Sequence, residues 1–396
     1  MGRGRGVVMT QKTSVPEVII VGAGAIGRGF LPWVLADHYE LVFVDQNADL
    51  VRELRDRGEY ATYRVQGNKL EERTFKVKAA YLPEAFTAAR HLRAAAAFIN
   101  VGPRHCAQAA KTVRDLGCPI IVCENDPKCV TLVKNAVGWD EVYYAIPDVI
   151  TSNEAPNHLK RVSPLAVVSE SGTLYVDARA QGLRGELKRC DESELSKQWT
   201  AKLYLHNTPH CIAAYIGAHA GLNYIHEVMK DPELYHIVYG AMDEMLRTLK
   251  AGGDIPHPFL EWYAAKELSR FACGLLHDPI SRVAREPLRK LEPEGRLIGA
   301  AQFCLSYGIL PENILFGIAA ALDFKKDSAD SHMEFMGRAL TQEQLLTSIL
   351  SLRKGEALEK LLSRNLKGIS EKLSTITGHQ PGSQGEPHVS KQSLGA

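Results

Sequence analysis

Short apolar runs alternate with turn-forming residues over the first third of the chain, which is the pattern of strands buried on both faces. Residues 18–21 (Val-Ile-Ile-Val) and 41–44 (Leu-Val-Phe-Val) are the clearest runs, and residues 95–101 and 119–123 continue the series. Strands that are apolar throughout are typical of parallel sheets covered by helices on both sides. The pattern therefore predicts an α/β domain with a doubly wound sheet.

The spacing of apolar residues changes in the middle of the chain. Residues 151–185 mix short β-like runs with turns, which we interpret as additional strands. From about Glu192 onward the spacing becomes helical. We therefore predict a first domain at 15–192, with extra strands, followed by a mainly α-helical domain at 193–375.

A glycine-rich segment follows the first predicted strand directly. Gly22 permits a tight turn, Gly24 lets the backbone approach a pyrophosphate, and Gly27 lets helix and strand pack closely. A helix predicted from about Arg28 would offer free N–H groups to the phosphates. Asp45 ends the second strand, 21 residues after Gly24, where a carboxylate can hold ribose hydroxyls. This order predicts a Rossmann-type dinucleotide site, and the alternative is a glycine-rich turn of another α/β fold.

The same segment favours NAD over NADP as the cofactor. A carboxylate at Asp45 would repel a 2′-phosphate, although Arg28 or Gln46 could assist NADP instead. Loops that leave the carboxyl ends of parallel strands line the cofactor crevice, and Asn125 on one of them would project toward the reacting carbon. Taken alone, that loop is also an ordinary turn. The other expected cofactor contacts are Ala25, Ile26, Val101 and Gly102.

A lysine, an asparagine and a histidine lie close together at the start of the helical half. On one helix, Lys202, Asn207 and His210 would share a sector of roughly 140°. Alternatively, Thr208 and Pro209 would be the N-cap and first residue of a new helix. A lysine with a lowered pKa can take the proton of an alcohol during hydride transfer, and an asparagine N–H can stabilise the oxyanion. Spacing alone nevertheless favours structural roles for all three.

Composition and charge bear on the class of function. Lys plus Arg number 47 and Asp plus Glu 46, so no long-range field would gather nucleic acid or an anionic membrane. No apolar stretch has the length of a membrane span, and no secretory signal is expected. The eight cysteines are scattered without a CxxC pair, which favours reduced residues in a cytoplasmic protein.

Two further expectations concern metals and the chain ends. His105, Cys106, Cys123 and Cys129 could in principle form a metal site, but they lack zinc-ligand spacing, so no metal is expected. Residues 1–14 and 376–396 are poor in apolar side chains and are predicted to be disordered tails. The oligomeric state is not indicated.

These motifs, in this order, resemble the polyol-specific long-chain dehydrogenases/reductases. The resemblance is carried by GAGAIGRGF from Gly22, VGP from Val101, CEN from Cys123 and the Lys-x4-Asn-x2-His pattern from Lys202. It extends from about residue 18 to about residue 324. It is greatest to the mannitol-1-phosphate 5-dehydrogenase branch, on the segments 214–217, 285–291, 296–298 and 317–321.

The resemblance implies a zinc-independent, NAD-dependent enzyme that interconverts mannitol 1-phosphate and fructose 6-phosphate. It also implies that Lys202 is the general base, that Asn207 and Asn125 form the oxyanion hole, and that His210 orients the substrate. Two alternatives stay open. One is a reductase of a non-phosphorylated ketose or keto-uronate, and the other is a cofactor-binding regulator without turnover.

The expected substrate contacts are a basic group and an acidic residue. Arg285, Arg289 and Lys290 could bind the phosphate, because arginine offers paired donors to phosphate oxygens, or could be a solvated helix end. Asp148 is kept, but Val149 replaces the arginine that the family usually has next to it. Pro209 and Cys211 also depart from the family pattern. These departures could alter the preferred substrate.

Overall fold

The computed structural model describes residues 15–153, 155–324 and 341–378. The chain divides into two compact units, Met1–Ser196 and Lys197–Ala396. The expected tail at 1–14 and all but the first three residues of the expected tail at 376–396 lie outside the described residues.

The first unit is built on a mixed sheet. In the described part of the chain this sheet has 11 strands, in the order β11-β10-β7-β6-β5-β1-β2-β4-β3-β9-β8. The strands are β1 (Glu17–Val21), β2 (Glu40–Val44), β3 (Glu59–Gln66), β4 (Lys69–Tyr81), β5 (Ala94–Ile99), β6 (Ile120–Val122), β7 (Val142–Asp148), β8 (Thr151–Ser152), β9 (Val168–Glu170), β10 (Thr173–Asp177) and β11 (Leu187–Cys190).

The centre of the sheet is parallel and buried on both faces, as the apolar runs predict. Strand β1 pairs in parallel with β2 and with β5, and β6 extends the parallel series to β7. Val18 and Ile20 belong to one apolar core, whereas Ile19 and Val21 belong to the other, because successive side chains of a strand point to opposite faces. The predicted doubly wound sheet is confirmed.

Helices and short helical turns connect these strands. The structure contradicts one expected boundary, because the helix after the glycine-rich segment begins at Ala25 rather than near Arg28. Its first six residues form a π-helical turn, which continues as an α-helix. The helical elements of the first unit are Ala25–Phe30, Leu31–Leu35, Ala48–Arg57, Pro83–Ala85, Ala88–Arg90, Cys106–Ala110, Arg114–Leu116, Lys128–Val137 and Asn157–Val162.

The β3–β4 hairpin is a feature that the apolar pattern did not predict. The two strands are antiparallel, and Gln66 pairs with Lys69 across a two-residue turn in which Gly67 has a positive φ. β4 alternates charged and apolar residues and is partly exposed, so it lacks the continuous apolar run that marks the central strands.

The second unit is helical in its described residues. Its helical elements, with the one that leads into it, are Glu192–Ala201, Lys202–Asn207, Thr208–His219, Ile225–Val228, Pro232–Gly252, His257–Phe271, Gly274–Leu276, Ile280–Val283, Pro287–Lys290, Ile298–Ser306, Glu312–Leu322, Gln342–Gln344, Leu345–Ile349 and Ala357–Ile376. The expected mainly α-helical second part is confirmed. In the described ranges no helix combines the length and the apolar character needed to cross a membrane.

The helical run that carries Lys202 is unbroken, so a new helix at Thr208 is the wrong alternative. Residues 192–219 are helical throughout, with a π-helical turn at Lys202–Asn207 between two α-helical parts. Thr208 has helical backbone angles, and its hydroxyl donates to the carbonyl oxygens of Leu203 and Arg296 instead of capping a helix. The shift of hydrogen-bond register accommodates Pro209, which lacks an N–H donor.

Candidate active site

A cavity of about 340 Å³ lies at the carboxyl ends of β1, β2 and β5 in the first unit. This is where the crevice of an open α/β sheet binds ligands. Four of the residues expected to contact the cofactor line it, namely Gly22, Gly24, Asp45 and Val101. The lining also includes Gln46, which was weighed as an aid to NADP. Asn100, His105 and Gln108 line it as well and were not anticipated as cofactor contacts.

Gly22 and Gly27 are required by the backbone around this cavity. Gly22 has φ +93°, and a Cβ there would lie 2.6 Å from the carbonyl oxygen of Asn100. A Cβ on Gly27 would lie 1.9 Å from the carbonyl oxygen of Gly22. At Gly24, by contrast, no described protein atom lies within 4 Å of a built Cβ, so this position opens onto free space. The cradle therefore suits a dinucleotide pyrophosphate, which needs close approach to the backbone.

Asp45 ties the glycine-rich segment to the end of β2. Its carboxylate accepts hydrogen bonds from the backbone N–H groups of Ala23 (2.7 Å) and Asn47 (2.8 Å). Arg28 is buried, and its guanidinium donates to the carbonyl oxygens of Leu165 and Ala23. Because these bonds hold Arg28 in the interior, the structure argues against the alternative in which Arg28 binds the 2′-phosphate of NADP. Ala25 and Ile26 begin the π-helical turn beside Gly24.

Glu124 is a functional candidate that the sequence interpretation missed. It lies two residues after the end of β6, is buried, and accepts hydrogen bonds from the backbone N–H groups of Val101 (2.7 Å) and Gly102 (2.8 Å). Burial raises the pKa of Glu124 to about 7, and the two N–H groups offset part of that effect. Glu124 thus fixes the loop after β5, and its neighbour Asn125 is exposed at the surface of the unit. Its position just after a buried strand was the feature of the sequence that could have indicated a role for Glu124.

We expect Glu124→Gln to change how stability depends on pH. The folded protein keeps this carboxyl protonated up to about pH 7, whereas the unfolded chain releases the proton near the ordinary pKa of 4.5. Between these values the folded state binds more protons, so this group lowers the free energy of unfolding as pH rises. Gln keeps Oε1 as an acceptor but does not titrate.

The measurement is thermal unfolding of both proteins from about pH 5 to about pH 7.5. The Tm of the unmodified protein relative to the Gln variant should fall across this range. Glu59→Gln, at the exposed first position of β3, is the control and should show no such trend. A constant difference for Glu124→Gln would contradict the prediction.

The second unit brings Lys202, Asn207 and His210 together on one helical run. Their side chains are only 6%, 4% and 5% exposed. The π-helical turn matters because its backbone hydrogen bonds join residues five apart, as from the Thr208 N–H to the Leu203 carbonyl oxygen. Lys202 and Asn207 are also five apart and so lie closer to one face than on an α-helix. π-Helical turns inside α-helices are frequent at functional sites.

The side-chain amide nitrogen of Asn207 is buried and has no hydrogen-bond partner among the described residues. A buried N–H without a partner is costly, and in native proteins such a group is usually bound by water or by a ligand. An oxyanion or hydroxyl oxygen of a substrate would satisfy it. The position is therefore suited to stabilise negative charge that develops on a substrate oxygen.

His210 is held by a buried carboxylate that the sequence interpretation also missed. The distance from His210 Nε2 to Asp278 Oδ2 is 2.7 Å, and Arg282 donates to the other oxygen of Asp278. Burial lowers the pKa of His210, and Asp278 offsets only part of that effect. Phe271 stacks on the His210 ring with centroids 5.0 Å apart. No local motif marks Asp278, which lies 68 positions further along the chain.

A second histidine pair lies beside the first. His206 Nδ1 is 2.5 Å from Glu267 Oε2, and Glu267 also pairs with Arg270. The rings of His206 and His210 have centroids 5.0 Å apart. The two histidines are thus anchored separately, each by its own carboxylate and arginine.

The basic residues expected to bind phosphate do not share one environment. Arg285 is exposed, and Arg289 pairs with Glu286 at 3.0 Å. Lys290 is only 2% exposed, donates to the carbonyl oxygens of Val283 and Arg285, and lies 3.4 Å from the hydroxyl of Tyr215. Lys290 therefore differs from the expectation of a solvent-facing group, because its three donors are engaged inside the unit. Burial also lowers its pKa to about 7.

Arg296 is a cation in the same region that the sequence interpretation did not include among the site residues. Its side chain is partly buried and makes no hydrogen bond or ion pair with the described part of the chain. Burial lowers the pKa of Arg296, and the positive charges of Arg289 and Arg282 add to this effect. A guanidinium without a counter-charge, surrounded by other cations, is suited to receive an anion.

Asp148 and Val149 end β7 and begin the following turn in the first unit. Asp148 is buried, and Thr173 pairs with it across the sheet. Val149 belongs to an apolar core and packs against Gly172, where a built Cβ would lie 2.6 Å from the Cβ of Val149. Valine at this position therefore serves packing, which an arginine would not.

The cysteines form no disulfide within the described ranges, and all but Cys273 are buried. Cys106, from the group weighed as a metal site, donates to the carbonyl oxygen of Pro103. Within the residues that the structure describes, no group of three or more His, Cys, Asp or Glu side chains is arranged to hold a metal ion.

Comparison with known proteins gives one family model and several relatives of the same kind of enzyme. Residues 195–366 match the family model described as mannitol dehydrogenase C-terminal domain. The chain is 30% identical over 333 residues to a mannitol-1-phosphate 5-dehydrogenase of Caldanaerobacter subterraneus subsp. tengcongensis, and the match covers 78% of this chain and 86% of that protein. It is 27% identical over 382 residues to the enzyme of the same name from Thermoanaerobacter pseudethanolicus, covering 90% and 98%.

Solved structures share the fold at lower identity. Mannitol 2-dehydrogenase of Pseudomonas fluorescens, determined as a ternary complex with NAD and D-mannitol, matches with a TM-score of 0.70 and 16% identity over 92% of this chain and 94% of that one. A D-sorbitol dehydrogenase matches with a TM-score of 0.65 and 16% identity over 91% and 94%. On the family model and the 30% identical relative, the chain belongs to the polyol-specific long-chain dehydrogenase/reductase family, which includes the mannitol-1-phosphate 5-dehydrogenases.

Proposed function

We propose that this protein is an NAD-dependent oxidoreductase that interconverts mannitol 1-phosphate and fructose 6-phosphate. The observation that carries the proposal is the buried amide nitrogen of Asn207, which has no partner among the described residues and lies one π-helical turn from Lys202. An N–H donor of this kind stabilises an alkoxide, and Lys202 can take the proton of the alcohol from which the alkoxide forms. The relatives named mannitol-1-phosphate 5-dehydrogenase support the substrate.

The residues divide the chemistry of alcohol oxidation between them. Lys202, as general base, takes the proton of the C5 hydroxyl of mannitol 1-phosphate, and the oxygen becomes an alkoxide. Asn207 donates to that oxygen the amide N–H that has no partner among the described residues, and Asn125 stays a proposed catalytic residue of the first unit. The C5–H bond then breaks with its electron pair, and the carbon becomes the C2 ketone of fructose 6-phosphate. NAD, when bound, supplies the acceptor for this hydride.

The first unit provides the cofactor site in this proposal. The open space beside Gly24 would receive the pyrophosphate, and Asp45 would face the ribose hydroxyls. A carboxylate at this position disfavours a 2′-phosphate, which supports NAD over NADP. The backbone of Val101 and Gly102, held by Glu124, would border the cofactor on the other side. We keep 15–192 as the cofactor domain and 193–375 as the substrate domain.

The phosphate would bind to arginines of the second unit. Arg296 is the leading candidate because it has no partner in the described part of the chain, and Arg285 and Arg289 lie in the preceding segment. Arginine pairs its planar donors with phosphate oxygens. Lys290 would stabilise the backbone of this segment, since its ammonium group donates to the carbonyl oxygens of Val283 and Arg285. Asp148 is retained as a proposed substrate contact.

Arg296→Met should weaken the phosphorylated substrate selectively. We expect the KM for fructose 6-phosphate to rise by about 10- to 100-fold, because a charge-assisted hydrogen bond is worth about 1.5–3 kcal/mol. The KM for fructose and for NADH should change little. Arg247→Met, which removes an exposed ion pair with Asp243, is the matched control. Equal losses with fructose and fructose 6-phosphate would argue against phosphate recognition by Arg296.

The function is tested by following NADH oxidation with purified protein. Fructose 6-phosphate is compared with fructose and with keto-uronates, and NADH with NADPH. Rapid turnover only with fructose 6-phosphate and NADH would support the proposal. Activity only with a non-phosphorylated ketose or keto-uronate would favour the alternative reductase. NADH binding without consumption of any substrate would favour a regulator. We also propose a cytoplasmic protein whose partners are small molecules.

A further inference from the structure

The environment of His210 determines which of its two nitrogens carries a proton. Nε2 lies 2.7 Å from Asp278 Oδ2, and both groups are buried. The other ring nitrogen, Nδ1, has no hydrogen-bond partner among the described residues. The flat face of the ring is covered by Phe271, with an angle of 5° between the two rings. The ring therefore has one anchored nitrogen and one nitrogen available to a ligand.

Asp278 acts only as an acceptor in this arrangement. Although burial by itself would raise its pKa, the charge of Arg282 and the hydrogen bonds from His210 and Arg282 hold the pKa of Asp278 well below its usual range. Arg282 donates to Oδ1, and an arginine has no acceptor atom. The backbone of Asp278 is also fixed, since its carbonyl oxygen accepts from the Ile225 N–H at 3.1 Å. An ionised carboxylate in a fixed place requires a donor at Nε2.

We infer that Asp278 is a positioning residue that keeps His210 protonated at Nε2, so that Nδ1 accepts a hydrogen bond from a hydroxyl group of the substrate. The inference rests on the proposed function only in taking the substrate to be a polyol. It separates the roles of two neighbouring residues. Asn207 donates to the oxygen that becomes an alkoxide. His210 Nδ1 instead accepts a hydrogen bond from another hydroxyl group, and so selects a substrate that has a hydroxyl at that position.

The neighbouring pair offers a matched comparison. His206 is held through Nδ1 by Glu267, whose carboxylate pairs with Arg270. The two carboxylates thus bind different ring nitrogens of two histidines that lie 5.0 Å apart by ring centroids. Removing the charge of Glu267 should affect His206 and leave the tautomer of His210 as it is.

Asp278→Asn tests the inference because Arg282 can only donate. The side-chain oxygen of the introduced asparagine must then face Arg282, and its NH2 group must face His210, which would move the ring proton from Nε2 to Nδ1. Long-range proton–nitrogen NMR of the full-length protein labelled at histidine nitrogens reports the tautomer, and His210→Gln identifies the signals. We expect Nε2–H in the unmodified protein and Nδ1–H in the Asn variant. The kcat/KM for fructose 6-phosphate should fall by about 10²-fold or more, with the affinity for NADH retained.

Two further variants complete the test. Asp278→Glu keeps a carboxylate, so it should keep the Nε2–H tautomer and recover part of the activity. Glu267→Gln should leave the His210 signals unchanged. An Nδ1–H tautomer of His210 in the unmodified protein would overturn the inference. A changed tautomer in Asp278→Asn together with a normal kcat/KM would also overturn it. If the unmodified protein does not reduce fructose 6-phosphate, the proposed function fails, while the tautomer of His210 is still decided by the NMR measurement.

Discussion

Replacing Lys202 by Met lowers the turnover of fructose 6-phosphate with NADH by about 10²–10⁴-fold, which is the usual contribution of general acid–base catalysis. The reason is that methionine fills a similar volume but cannot give or take a proton. Lys202 lies in the buried π-helical turn, one turn from Asn207, so solvent water is a poor substitute for it. The affinity for NADH and the KM for the sugar phosphate should change much less than kcat.

Lys202→Arg distinguishes proton transfer from simple charge. Arginine keeps the positive charge but does not release its proton near neutral pH, so this variant should be almost as inactive as Lys202→Met. Lys230→Met, at an exposed position of the same unit, should turn over normally. Near-normal kcat in either variant of Lys202 would rule this residue out as the general base. Measurement of single-turnover rates separates the chemical step from product release.

Asn207→Asp should lower kcat by about 10²–10³-fold, the typical cost of removing one oxyanion donor. The change preserves size and shape but replaces the free N–H group by a carboxylate oxygen, which repels an alkoxide. Because the Asn207 amide nitrogen has no partner in the described part of the chain, the change breaks no hydrogen bond of that atom there. A carboxylate buried here without a partner costs free energy, so we expect the Tm to fall as well, and kcat is compared only once the variant is shown to be folded.

The control is Asn365→Asp on the exposed face of the Ala357–Ile376 helix. It makes the same chemical change outside the proposed site and should leave kcat unchanged. Thermal unfolding of both variants checks that each protein is folded. If Asn207→Asp kept its kcat, the free N–H group would be a structural feature without a role in stabilising the alkoxide.

The sequence predicted a cofactor region because each of the signals for it is local. A Gly at position 22 or 27 reflects a backbone that no other residue fits, and Asp45 follows a strand at a fixed distance from the glycines. Apolar runs marked the central strands for the same reason, since burial on both faces leaves a continuous pattern. The β3–β4 hairpin escaped prediction because its strands are partly exposed and charged.

Lys202, Asn207 and His210 were recognised from their order along the chain, and spacing alone did not favour a catalytic role for them. The tertiary structure adds the π-helical turn, which moves residues five apart toward one face and accommodates Pro209 without a break. It also shows that the amide nitrogen of Asn207 has no hydrogen-bond partner in the part of the chain that the structure describes. The register of the helix hydrogen bonds, and whether a buried polar group finds a partner, depend on packing around the helix. Neither can be read from the identity of a single residue.

The fold class and the cofactor motif could be predicted from the sequence, because they depend on neighbouring residues and on backbone geometry, whereas the catalytic roles came from the family resemblance. The groups that support these residues became visible only in the folded chain. It paired His210 with Asp278 across 68 positions, placed Glu124 under the loop after β5, and enclosed Lys290 while leaving Arg296 without a partner in the described ranges. Such pairings arise when distant segments are buried together, since a buried charge must find its partner wherever the fold brings one.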